Sequence, residues 1–127
     1  MEYQFSNDKP IYLQLMDVFK VAIVSGELPK GERLESVRDL AVVAKVNPNT
    51  MQKALSELER IGLVRTERTS GRFITDDEDL ILSMKNEIAE KEITVFLEKM
   101  KSLGISKDAV VKLINDYNAA APEPVEG

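Results

Sequence analysis

Asn49, Gln52, Lys53 and Ser56 recur three or four positions apart, a spacing that on an α-helix stacks side chains along one face. Amide, ammonium and hydroxyl groups in such a row can donate to base edges or to phosphate. The Asn and Gln amides match adenine, and the Lys ammonium matches guanine or phosphate. No carboxylate interrupts the N-terminal half of this stripe. Arg38 upstream and Arg65, Arg68 and Arg72 downstream repeat the theme, since a planar guanidinium fork fits either guanine or phosphate. A solvated helix face is the commoner origin of a polar stripe, so the neighbouring elements must decide. Other chemistry is scarce. The chain has no Cys and no His, which excludes disulfides, thiolate zinc sites, Cys or His nucleophiles and imidazole acid–base catalysis. The run Asp76-Asp77-Glu78-Asp79 could offer oxygens to a divalent ion. It also precedes a helix, where carboxylates cap free N–H groups and interact favourably with the dipole. The capping role is the expectation, with no metal and no cofactor, and no convergent polar cluster suggests an enzyme.

The stripe lies on a helix with both ends written into the sequence. Asn47 can accept from an early helical N–H, and Pro48 occupies the first helical position, where a missing donor costs nothing. Gly62 can adopt the left-handed conformation that closes a helix and drops Leu63 onto Leu58. Met51, Ala54, Leu55, Leu58 and Ile61 form the apolar stripe of the same helix. Upstream, Leu34 to Ala41 predicts a short helix capped by Ser36, with Asp39 in a capping-box-like position. A short turn around Lys45 and Val46 completes a helix-turn-helix. Downstream, Leu63 to Glu67 and Gly71 to Thr75 predict a hairpin joined by Arg68-Thr69-Ser70, and Gly71 would let its tip approach a partner closely. Glu32 to Leu34 is a short extended piece able to pair with that hairpin. Nearer the start, Met1 to Lys9 predicts an irregular arm with Phe5 packed. Pro10 then opens a helix whose Tyr12, Leu15, Met16, Phe19, Ala22 and Ile23 face a core until Gly26. Tyr12 belongs with that core, its hydroxyl at the edge.

With 127 residues, 43% of them hydrophobic, the chain can bury one substantial core. Its net charge of −5 argues against a phosphate-rich partner only until the charges are placed. Residues 1–75 carry 11 Lys and Arg against 10 Asp and Glu, whereas residues 76–127 carry 6 against 12. The acidity therefore lies in the tail, leaving a local basic excess available for nucleic acid. No basic leader precedes an apolar run, and no apolar run approaches the about 18 residues of a membrane span. The expectation is a soluble, cytoplasmic protein.

Several motifs in order carry a family resemblance. Pro10-Ile11-Tyr12, Gly26-Glu27-Leu28-Pro29-Lys30-Gly31, Leu34-Glu35-Ser36-Val37-Arg38-Asp39-Leu40-Ala41 and Leu58-Glu59-Arg60-Ile61-Gly62-Leu63-Val64 resemble the winged helix-turn-helix of the bacterial GntR family. The Val46-Asn47-Pro48-Asn49-Thr50 opening and the short tail are similar to its YtrA-like subfamily. Lys30 and Glu35 stand where the family usually has proline. Of the family's Gly-x-Gly wing tip only Gly71 matches. Pro48 replaces an arginine found in many members, which shifts base readout toward Asn49, Gln52 and Lys53. The resemblance implies a DNA-binding regulator, and the candidate contact residues are Ser36, Arg38, Asn47, Asn49, Thr50, Gln52, Lys53, Arg68, Gly71 and Arg72.

After the hairpin, Ile81, Met84, Ile88, Ile93, Phe96, Leu97, Met100 and Leu103 predict a long amphipathic helix ended by Gly104, with Ile105 falling back on Met100. Ser106 opens another helix bearing Val110, Leu113, Ile114 and Tyr117. Two helices with broad apolar stripes need a covering partner, and a second copy of the same hairpin is the simplest. The expected pairing residues are Ile81, Met84, Ile88, Ile93, Phe96, Leu97, Met100, Val110, Leu113, Ile114 and Tyr117. About 40 residues in two helices cannot enclose an effector pocket of about 300 Å³ unaided. Ala119 to Gly127 is expected to be a disordered end.

The expected architecture is thus mostly α with a small β-hairpin wing: a winged helix-turn-helix over residues 1–75, then a helical dimerisation tail over 76–127. The expected function is a homodimeric transcriptional regulator, a repressor acting on a palindromic duplex DNA operator. A winged-helix module that binds protein instead of DNA is the alternative.

Overall fold

The computed structural model describes residues 1–118. Five helices and one hairpin follow in the order α1 (Ile11–Ser25), α2 (Val37–Ala44), α3 (Pro48–Arg60), β1 (Val64–Glu67), β2 (Gly71–Ile74), α4 (Glu78–Ser102) and α5 (Lys107–Asp116). The chain forms two compact units, Met1–Glu87 and a second beginning at Ile88, so the division falls inside α4.

The first unit is built around Leu15 and Phe19 of α1, Met51, Leu55 and Leu58 of α3, and Leu63, Val64 and Ile74 of the hairpin, all fully buried. α3 packs on α1, α2 and β1 through one apolar face, leaving its polar face to solvent. Its ends are closed as its residues predict. The Asn47 carboxamide oxygen accepts from the Asn49 N–H at 2.7 Å. At the far end Gly62 has φ +89°, and the Leu63 N–H reaches back to the Leu58 carbonyl at 3.0 Å. α2 begins with Ser36 Oγ accepting from the Asp39 N–H at 3.1 Å. It ends at Lys45, whose φ of +60° is positive without a glycine to relieve it. The Val46 N–H then returns to the Ala41 carbonyl at 3.0 Å, closing the turn of the helix-turn-helix.

The N-terminal arm is held by one side chain. Buried Gln14 accepts from the Ser6 N–H at 2.9 Å and donates to the Ser6 and Lys9 carbonyls at 3.0 and 2.7 Å. Tyr3 and Phe5 consequently pack against the core.

In the hairpin, Val64 pairs with Ile74 and Glu67 with Gly71, antiparallel. The connector before α2 pairs with β2 through an isolated bridge beside the two-stranded sheet. The Leu34 N–H donates to the Arg72 carbonyl and the Ile74 N–H to the Glu32 carbonyl, each at 2.8 Å, around an Arg33–Phe73 bridge.

The acidic run after the hairpin is engaged in capping and ion pairing. Asp77 accepts from the Leu80 N–H at 3.0 Å, Asp76 pairs with Arg65 at 3.3 Å and Glu78 with Lys30. The first turns of α4 then depart from the expected division at residue 75. Leu80, Ile81 and Met84 pack against the core of the first unit while staying partly exposed, so Ile81 and Met84 of the expected pairing set already have neighbours within the chain. The reason is geometric: Gly62 leaves room for the Leu80 side chain, which would stand 3.2 Å from a Cβ there, and the helix that carries Leu80 brings Ile81 and Met84 with it.

In the second unit Gly104 has φ +81° and the Ile105 N–H returns to the Met100 carbonyl at 3.0 Å, while Ser106 caps α5 through the Ala109 N–H at 3.2 Å. Val110, assigned to pairing from its place on the stripe, is buried within the single chain at 3% exposure. Ile88, Leu97 and Met100 are half-buried. Ile93, Phe96, Leu113, Ile114 and Tyr117 are exposed, together with Val95, Leu103 and Val111. The end expected to be disordered lies outside the described residues.

Candidate nucleic-acid interface

Asn49, Gln52, Lys53 and Ser56 are all exposed on α3, opposite the buried Met51, Ala54, Leu55 and Leu58. Their states differ. The Gln52 amide donates to Ser56 Oγ at 3.0 Å along its own helix, so a base edge would have to compete with that bond. The Lys53 ammonium lies 4.0 Å from the centre of the Tyr12 ring. A cation over an aromatic face is attracted by the ring quadrupole, and the contact ties the outer stripe of α3 to α1. Tyr12 is half-buried and packed on the core, as its place on the helix predicts. Asn47 is exposed and uses its carboxamide oxygen on the cap, leaving the amide N–H₂ as the end suited to an acceptor. Thr50 is half-buried.

On α2, Ser36 and Arg38 are exposed in and before the first turn. Ser36 Oγ accepts within the cap and retains its hydroxyl proton for donation. The free N–H groups of a helix N-terminus, the Ser36 hydroxyl and the Arg38 fork form a set suited to a phosphate.

The three hairpin arginines separate. Arg65 is committed within the fold: it pairs with Glu67 and Asp76 and its guanidinium stands 5.0 Å from the centre of the Phe73 ring. Arg68 is exposed on the turn between β1 and β2. Arg72 is half-buried, and its Nε is buried with no hydrogen-bond partner among the described residues. Strand alternation puts Arg72 on the same face as its cross-strand partner Thr66, whose hydroxyl donates to Glu59 of α3 at 2.9 Å. Arg72 therefore lies on the side of the hairpin that meets α3. Gly71 has φ +110°, and the Arg33 guanidinium lies on the side where a Cβ would project. Arg33 was not singled out by sequence reasoning. Its only local signal is an arginine within a strand-like triplet.

Among the described residues, the perturbed ionisable groups lie in the N-terminal arm. Burial raises the Tyr3 phenol, with Glu27 and Glu35 acting in the same direction. A hydrogen bond to Asp17 raises Lys9, and one from Ser6 lowers Asp8.

A short helix and turn leading into a capped helix with an exposed donor stripe, followed by a β-hairpin, define a winged helix-turn-helix DNA-binding regulator of transcription. The chain belongs to the gntR family of bacterial regulatory proteins, whose profile matches residues 11–74. It is 38% identical over 117 residues to an uncharacterized HTH-type transcriptional regulator, YhcF, of Bacillus subtilis, covering 92% of this chain and 97% of that one. It is 36% identical over 94 residues to the transcriptional repressor YtrA of the same organism, covering 74% and 68%. A GntR family transcriptional regulator from Listeria monocytogenes superposes with a TM-score of 0.80 at 35% identity, over 90% of this chain and all of that one. The matched family and these relatives are all described as regulators. Among the described residues no helix is long and apolar enough to cross a membrane.

Proposed function

We propose that the chain is a homodimeric repressor that occupies a two-fold symmetric operator, acting in the cytoplasm where promoter DNA lies. The observation that carries this reading is the exposed stripe of α3, which presents Asn49, Gln52 and Lys53 with no carboxylate among them. In the proposed complex Asn49 and Gln52 read bases in the major groove. Ser36, Arg38, the Asn47 amide, Thr50 and Lys53 fix the register on phosphates. Arg68 and Arg72 bring the hairpin against the backbone or an adjacent minor groove, and Gly71 contributes the shape of that tip.

Pairing is assigned to the second unit, where Ile93 and Phe96 of α4, Leu113 and Ile114 of α5 and Tyr117 at its C-cap are exposed. Apolar side chains gathered on one helical pair favour a partner with the same surface, and a two-fold dimer would place its half-sites about 10 base pairs apart or a multiple of that. Repression is supported by the likeness to a protein named as a repressor.

Footprinting on the promoter of the chain's own operon, with sedimentation of the free protein, tests the reading. Two protected half-sites related by a dyad and a dimer at micromolar concentration are expected. No binding to any duplex at low salt would favour the protein-binding alternative.

A further inference from the structure

Arg33 joins three features of the hairpin. Its backbone lies in the extended connector and forms an isolated antiparallel bridge to Phe73. Its Nε–H donates to the Ser70 carbonyl at 2.7 Å, across 37 positions of sequence. Its guanidinium lies against Gly71 so closely that a Cβ there would stand 3.1 Å from Nε and 3.3 Å from Nη2. The turn that Ser70 and Gly71 close is the one that carries Arg68. A two-stranded hairpin by itself holds its tip weakly. Here the planar guanidinium packs on the glycine of the turn and bonds the carbonyl just before it, which ties the turn to the connector.

We propose that Arg33 is a positioning residue for the wing, fastening the Arg68–Ser70 turn to the connector so that Arg68 meets DNA without first being ordered. The proposal rests on the reading of the hairpin as a DNA-contacting wing. Ordering a side chain and its loop on binding costs affinity, so a turn held beforehand binds more tightly than the same turn free to move. Lysine cannot substitute. It keeps the charge but has no fork to bond Ser70 while lying flat on Gly71.

Two measurements on the full chain test this. In the free protein, ¹⁵N relaxation of the residue 68–71 amides should show order parameters falling from about 0.85 to below about 0.6 in Arg33→Ala and Arg33→Lys. Arg68→Ala should leave them unchanged. In anisotropy titrations on a duplex, Arg33→Ala should bind about 3- to 10-fold more weakly, and adding Arg33→Ala to Arg68→Ala should cost little more, because a turn without its arginine has nothing left to position. Unaltered order parameters in Arg33→Ala overturn the fastening. Additive losses, or full recovery of binding by Arg33→Lys, overturn the positioning role in favour of a plain charge. If Arg68→Ala binds like the parent while Arg38→Ala does not, the wing contact itself fails and the proposal with it, a failure distinguished from the first by intact relaxation effects.

Discussion

The Lys53 ammonium stands 4.0 Å above the Tyr12 ring, so a residue assigned to DNA and a residue assigned to the core form one contact. The ring fixes the long Lys53 side chain against α1, whereas a solvated lysine would sweep a wide volume.

Removing either partner should destabilise the fold, and the two losses should not add. Tyr12→Leu and Lys53→Ala, combined in a double-mutant cycle read by urea unfolding, are expected to give a coupling of about 0.5–1 kcal/mol, the range for a cation over a partly exposed ring. A coupling near zero would show that the contact contributes nothing to stability.

Duplex binding should weaken steeply with salt. If Arg38, Lys53, Arg68 and Arg72 of two subunits meet phosphates, about eight contacts give a slope of log K against log salt on the order of −7. A flat response would count against the proposed interface.

Specificity and positioning should separate by residue. Asn49→Ala is expected to cost about 1–3 kcal/mol on operator DNA and little on unrelated duplex, while Arg72→Ala should weaken both by similar factors. Equal losses for Asn49→Ala on the two duplexes would remove it from the base readers.

Fragments report where the first unit ends. A fragment closing at Glu87 should fold, stay monomeric and bind operator roughly 100-fold or more weakly than the full chain, having lost the linkage between half-sites. A fragment closing at Thr75 would also lose the Asp77 cap and the Leu80, Ile81 and Met84 side chains packed on the core. Burial of each such side chain contributes about 1.5–3 kcal/mol when complete, so its melting temperature should fall well below that of the longer fragment. Equal melting curves would place the boundary at 75 after all, and a dimeric 1–87 fragment would move the pairing surface out of the tail.

Element ends were legible in the sequence because each is settled within a few residues. Asn47 caps α3 through Asn49, Ser36 caps α2 through Asp39, and Gly62 and Gly104 close helices by bonds reaching back five positions. Steric freedom at glycine and short polar side chains near free N–H groups decide such features without reference to the rest of the chain. The outer stripe of α3 was legible for a related reason, since helical periodicity fixes which side chains share a face.

What only the tertiary structure decided is which distant groups meet. Periodicity puts Ile81, Met84 and Val110 on apolar stripes, but it cannot say whether a stripe is covered by its own chain or by another. Packing beside Gly62 brings Ile81 and Met84, partly buried, onto the first core, and Val110 is buried within the single chain. The sequence places Arg68 on the turn and Arg65 and Arg72 in the strands, but only the fold commits Arg65 to Asp76 and Phe73 and turns Arg72 toward α3. Glu32 to Leu34 reads as an extended piece able to pair with the hairpin, but only the fold brings the Arg33 side chain to Ser70, through the bridge to Phe73 of β2. That pairing depends on backbone hydrogen bonds between segments far apart in the chain, and no local preference encodes the partner of such a bond.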